Sequence, residues 1–253
     1  MRRVTILAAV FTGVALVLAI PQVLAAETAV ANVKNGEKIY KEGKGSVPAC
    51  SSCHGEDGMG NDAMGTPRLA GQITQFLVKQ LEDFATDRRM DTTMFIMNAN
   101  AKGLSSDDRR DVAAYAHLLS KPGSVGGGSD IKALAASGVE VGKPHLGMAL
   151  VNYGDISRGI SGCRSCHDYN GRGVDPIYPV IGQQKYVYLV NQLKKWRDGS
   201  RANDPMAQMQ KVAQHLTDED IINVASFLTN AGPLSMGNTR TPEQHPFMTF
   251  DIK

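Results

Sequence analysis

Phe76, Leu77, Leu81 and Phe84 lie three, four, eight and eleven residues after Ile73, which puts all five on one face of a helix over 73–86. Tyr188, Leu189, Leu193 and Trp196 repeat that rhythm further along. Ser105 with Asp108, and Thr217 with Asp220, have the spacing of a capping box. The acidic residues that follow suit the positive end of a helix dipole. They predict helices over 106–119 and 218–229, and weaker patterns predict shorter helices around 34–43 and 146–153. Strand-like alternation is absent, so the chain reads as all-α.

The pattern is duplicated. Cys50-Ser51-Ser52-Cys53-His54 returns 113 residues later as Cys163-Arg164-Ser165-Cys166-His167. Phe76–Leu81 returns as Tyr188–Leu193, Met94–Met97 as Met206–Met209, and Leu104–Asp108 as Leu216–Asp220, each 112 residues on. A constant offset over several motifs points to two copies of one domain. The expected boundaries are 27–120 for the first domain and 147–230 for the second. Between them, 121–146 opens with Lys121-Pro122-Gly123 and Gly126-Gly127-Gly128, the composition of a loose linker, with little structure expected over 130–146. Residues 231–253 read as an extended tail.

The first 26 residues stand apart. Arg2 and Arg3 precede the apolar run Val4–Ile20, and small residues follow at Ala25-Ala26, the layout of an export signal. An uncleaved anchor of the same length is the rival reading, and either one exports the body of the protein. Net charge is +2 over 253 residues, and cleavage near Ala25 brings it to zero by removing Arg2 and Arg3. This balance excludes a strongly basic nucleic-acid binder. No later segment is long enough to span a bilayer, so membrane contact is expected only through partners or an uncleaved N-terminus.

All four cysteines lie in the two Cys-X-X-Cys-His pentads. Two thiols at this spacing can each add across a vinyl group of one haem, and the adjacent His then lies under the iron. Two disulfides would leave the paired histidines without a role. Zinc would need a further ligand placed alike in both units. A thioredoxin-like redox pair would need a βαβ setting that is missing. Two covalent haem c groups are therefore expected, on Cys50, Cys53 and His54 and on Cys163, Cys166 and His167. Export fits, because haem of this type is attached outside the bacterial cytoplasm.

A carrier haem needs a second axial ligand. His117, His145, His215 and His245 have no counterparts at the repeat offset, and read as ordinary histidines. Met94 and Met97 do have counterparts, in Met206 and Met209. One methionine of each pair is the expected ligand, its soft thioether favouring ferrous iron. Spacing alone does not choose between the two.

With these motifs in place, the chain resembles the dihaem cytochrome c4 family, two class I cytochrome c domains in tandem. The resemblance rests on Cys50–Gly58, Pro67–Gln72 and Met97 seven residues before Leu104-Ser105. In the second unit it rests on Cys163–His167, Tyr178–Gln183 and Met209 seven residues before Leu216-Thr217. It covers roughly 34–120 and 146–230, and implies that each domain wraps around one haem. It also implies Met97 and Met209 as the distal ligands, and Pro67 and Pro179 as carbonyls that accept the proximal imidazole N–H. Arg89 and Arg201 are implied to lie near haem propionates, with exposed surface arginines as the competing reading. The chain departs from the family in its longer interdomain segment, its tail, and His167-Asp168-Tyr169 where the first unit has His54-Gly55.

The resemblance implies a periplasmic electron carrier rather than an enzyme. Its donor would be a quinol-oxidising complex or dehydrogenase, and its acceptor a terminal oxidase. The alternatives are a dihaem subunit of a larger dehydrogenase complex, or a dihaem redox enzyme such as a peroxidase or thiosulfate dehydrogenase. The last needs one iron with an open position, against which the matched methionines argue.

Overall fold

The structure, a computed structural model, describes residues 30–119 and 128–232. The expected export signal, the start of the linker and almost all of the expected tail lie outside these residues. The described residues from Ala31 onward belong to one compact unit.

The first half runs α1 (Val33–Glu42), α2 (Ser51–His54), α3 (Thr74–Ala85), α4 (Met97–Lys102) and α5 (Ser106–Leu118). After α6 (Ile131–Ala136), the second half repeats the order as α7 (Pro144–Tyr153), α8 (Arg164–His167), α9 (Tyr186–Asp198), α10 (Gln208–Ala213) and α11 (Asp218–Leu228). Helices and loops account for the described residues, and pairing between extended segments is limited to isolated bridges such as Lys44 with Val47. None of these helices is long and apolar enough to cross a membrane.

The two halves are built on one plan. In each, the first helix packs on the last, α1 on α5 and α7 on α11. The crossing is made at a glycine. A Cβ on Gly36 would lie 2.0 Å from the Asp111 carbonyl oxygen, and one on Gly147 would lie 1.9 Å from that of Asn223. Both last helices start from the capping boxes expected, Ser105 with Asp108 and Thr217 with Asp220. Ile39, Tyr40, Leu77, Leu104, Val112 and Ala116 form part of the first core. Val151, Ile160, Tyr186, Leu189, Trp196, Ile221 and Leu228 form part of the second.

The segment before α7 corrects the expectation of little structure. Asp130 caps α6 through the amides of Lys132 and Ala133, and Ile131, Leu134, Val139 and Val141 pack on the second core. Gly128 lies hard against the backbone of Thr229. Ser129 is buried, its amide donating to Thr229 Oγ1 at 2.8 Å and its Oγ accepting from Tyr186 N at 2.8 Å.

The halves are joined by reciprocal hydrogen bonds. Gln72 bonds the backbone of Val180 both ways, through Nε2 to the carbonyl and Oε1 from the amide, each at 2.8 Å. Gln184 does the same to Arg68, at 3.0 and 2.6 Å. Gln184, 112 residues after Gln72, is therefore its repeat partner, one residue beyond the Gln183 that ends the segment Tyr178–Gln183. Each glutamine also accepts from the next amide, Ile73 or Lys185, at the start of α3 or α9.

Candidate functional site

Cys50 is the N-cap of α2, and Cys53 and His54 lie in its single turn, closed by the His54 amide donating to the Cys50 carbonyl at 3.0 Å. The matching turn in α8 closes at 2.9 Å. One helical turn puts the two thiols of each pair on one side and the imidazole beside them. All four thiols are free. Burial pushes the Cys50 and Cys163 thiols up to about 11, so both are neutral rather than thiolate. Among the described residues, no group of three or more His, Cys, Asp or Glu side chains is placed to hold a metal ion by itself.

His54 and His167 are buried, 7% and 6% exposed. His54 Nδ1 donates to the Pro67 carbonyl at 3.1 Å, and His167 Nδ1 to that of Pro179 at 2.8 Å. A carbonyl only accepts, so the proton sits on Nδ1 and the Nε2 lone pair is left for a metal. Burial pushes both imidazoles below their ordinary value, towards the neutral ligand form. Tight loops deliver the prolines. Gly60 (φ 72°) lies so close to Pro67 that a Cβ would be 2.5 Å from its carbonyl carbon, and Gly173 (φ 81°) passes Tyr178 and Pro179 in the same way. Asp168 takes the positive-φ position that Gly55 holds in the first unit, and is fastened by an ion pair to Arg172 at 2.7 Å.

Exposure separates the methionines of the second pair but not those of the first. Met97 opens α4 and is half-buried, as is Met94. Met209 lies in α10 and packs on the second core, whereas Met206 is 75% exposed. Two carboxylates that the sequence pattern did not single out hold these loops. Asp91 accepts the amides of Thr93, Met94, Ile96 and Met97, and Asp204 accepts those of Met209 and Gln210. His117 is bonded to the Gln72 carbonyl and His215 to the side chain of Gln214, as ordinary polar residues.

Arg89 and Arg201 are not surface arginines. They are 7% and 6% exposed, and meet between the halves. Arg89 donates to Gln80 Oε1 (2.7 Å), Gln192 Oε1 (2.9 Å) and the Tyr188 hydroxyl (3.1 Å). Arg201 donates to Gln192 Oε1 (2.7 Å), Gln80 Oε1 (3.0 Å) and Asn203 Oδ1 (3.1 Å). Each guanidinium also lies over a ring, Phe84 or Trp196, at 4.5 and 4.3 Å. Burial, and next the neighbouring Arg89, pushes Arg201 down from its ordinary 12.5. Neither forms an ion pair with a carboxylate among the described residues, although the charge of Asp204 favours the charged form of Arg201. Gln80 and Gln192 are repeat partners inside the duplicated Phe76–Leu81 motif, a signal already present in the sequence.

The sequence model of the cytochrome c family matches twice, over residues 33–119 and 160–232. A cytochrome c4 of Pseudomonas aeruginosa is 32% identical over 74% of this chain and 85% of its own length. The chain belongs to the dihaem cytochrome c4 family. Its two pentads therefore carry two covalent haem c groups, which the free thiols and the Nε2-open imidazoles fit. A thiosulfate dehydrogenase electron acceptor of Stutzerimonas stutzeri is 36% identical over 82% of this chain and 91% of its own length. Among solved structures, reduced cytochrome c4 from Pseudomonas stutzeri aligns with a TM-score of 0.64 at 30% identity, over 80% of this chain and all of that one. Thiosulfate dehydrogenase (TsdBA) from Marichromatium purpuratum aligns at 0.70 and 28% identity, over 81% of this chain and 42% of that longer one.

Proposed function

We propose that this cytochrome is a carrier of single electrons, exported to the periplasm by residues 1–26. Its two irons are each held between one histidine and one methionine, His54 with Met97 and His167 with Met209. The observation that carries this reading is the duplication of one donor set. Each unit offers a buried imidazole with Nδ1 tied to a proline carbonyl, and each has a methionine loop closed by a carboxylate. The exposure of Met206, against the packed Met209, supports Met209 in the second unit and, through the repeat, Met97 in the first. Two filled coordination shells leave no iron position for a substrate, so the haems supply electron storage and transfer. The polypeptide fixes their ligands and sets their potentials.

Arg89 and Arg201 fit the same picture. Two buried guanidinium groups held only by neutral acceptors want anions, and haem propionates are the anions that both units bring.

Relatives named as electron acceptors of thiosulfate dehydrogenase favour a dehydrogenase as donor over a quinol-oxidising complex. A terminal oxidase is the acceptor. The test is stopped-flow mixing of the oxidised protein with a thiosulfate dehydrogenase and thiosulfate. Rapid reduction of both haems by the enzyme, with none by thiosulfate alone, supports the carrier role. Turnover of thiosulfate by this protein alone contradicts it.

A further inference from the structure

The loops that carry Met97 and Met209 are unfavourable by themselves. Phe95 has a φ of 60°, and Met206 and Ala207 have φ values of 57° and 53°, all non-glycine residues in the left-handed region. The helices they lead into, α4 and α10, have six residues each, too few to be stable alone. Backbone amides in the first turn of a helix have no partner within it. Here those amides belong to Met97, Met209 and their neighbours, and one carboxylate answers them in each unit. Asp91 Oδ2 accepts from Ile96 N at 3.2 Å and Met97 N at 3.3 Å, while its Oδ1 accepts from Thr93 N at 2.9 Å and Met94 N at 3.3 Å. Asp204 Oδ2 accepts from Met209 N at 2.5 Å and Gln210 N at 3.3 Å, and its Oδ1 from Gln210 Nε2 at 2.9 Å.

The two aspartates are not repeat partners. Asp91 stands six residues before Met97, and Asp204 five before Met209. The position 112 residues after Asp91 is Asn203, which bonds instead across the halves to Asp83 and Gln80. The same contact is thus reached from different places, so it is not simply carried along by duplication.

We propose that Asp91 and Asp204 are positioning residues that keep the two methionines on iron, an inference that rests on reading Met97 and Met209 as the distal ligands. A thioether is a neutral, weak ligand, so the fraction bound follows the free energy of closing its loop. A carboxylate on the methionine's own amide favours the closed loop, by hydrogen bonding and by its charge near the helix start. Losing one such charge-assisted bond raises loop opening by about tenfold or more.

The test uses the holoprotein with both haems and compares Asp91→Ala, Asp204→Ala, the corresponding Asn variants, Met97→Ala and Met209→Ala. The measurements are the near-infrared band of methionine-bound ferric iron, carbon monoxide binding by the reduced protein, and the potential of each haem. Each Met→Ala variant is expected to lose one haem's share of the band entirely. Each Asp→Ala variant is expected to keep its methionine but to admit carbon monoxide at that haem, about tenfold or more above any level seen in the parent. Its band weakens and its potential falls. Each Asn variant keeps an oxygen acceptor without the charge and falls between, which decides the matter if an alanine variant does not fold. If the Met→Ala variants lose their bands while the Asp variants match the parent in all three readouts, the aspartates do not position the ligands. Bands that survive Met→Ala overturn the ligand assignment itself.

Discussion

A thioether holds ferrous iron better than ferric iron, so a methionine ligand raises a haem's potential. Met97→Ala should lower the potential of one haem by roughly 100 mV or more, within the ~0.8 V that axial ligands span. It should also open that iron to carbon monoxide, as redox titration and carbon monoxide difference spectra would show. An unchanged potential would move the assignment to Met94. Asp108 offers a second test at this scale. Burial alone would raise its carboxyl, but hydrogen bonds from Lys44, Ser105 and Asn35 outweigh that and hold it well below its ordinary 3.8. A carboxyl depressed by folding stabilises the protein above its unfolded value, and that stabilisation fades as pH falls through the folded one. Asp108→Asn should therefore cost about 1–3 kcal/mol at neutral pH. The gap to the parent should narrow below about pH 4 in denaturant titrations. A gap that stays constant down to strong acid would contradict this.

Among the elements, the crossings of α1 with α5 and α7 with α11 leave the least room. A methyl group on Gly36 or Gly147 would overlap the backbone of the facing helix. Overpacking against backbone cannot be relieved by a rotamer change, so Gly147→Ala should destabilise the protein by about 3 kcal/mol or more. Thermal unfolding would show it, and a variant as stable as the parent would refute the close crossing. The long helices were legible either by an apolar stripe, as in α3 and α9, or by a start signal, as Ser105 and Thr217 supply for α5 and α11. The segment around α6 was not. Ile131, Leu134, Val139 and Val141 lack a helical period, and the second core orders them by burying them. The role of Asp91 and Asp204 was hidden for another reason. Their spacings to the methionines differ by one residue, so a fixed repeat offset passes over them.

At the scale of the molecule, equivalent residues of the two halves make the contacts between them: Gln72 on Val180 and Gln184 on Arg68, and Arg89 and Arg201 each on both Gln80 and Gln192. The duplication predicted two equal units and their haem attachment. It did not show which faces meet, because a repeat match reports that Gln80 and Gln192 are equivalent and says nothing of what they touch. Replacing both by Ala strips the buried guanidinium groups of their main acceptors. The cost should be about 1–3 kcal/mol for each glutamine, measurable by denaturant titration. A double variant of parental stability would mean that the arginines are satisfied by other groups. Replacing Cys50 and Cys53 together should leave one covalent haem of two by mass, and two remaining haems would refute the attachment.

Irons that are both methionine-bound are both closed to outside ligands. The absorption spectrum of the mature protein tests this most directly, taken oxidised, reduced, and reduced under carbon monoxide. The expected result is two c-type haems, the near-infrared band of methionine-bound ferric iron at full strength for both, and no change with carbon monoxide. Carbon monoxide binding by either haem would contradict it and point to a redox enzyme.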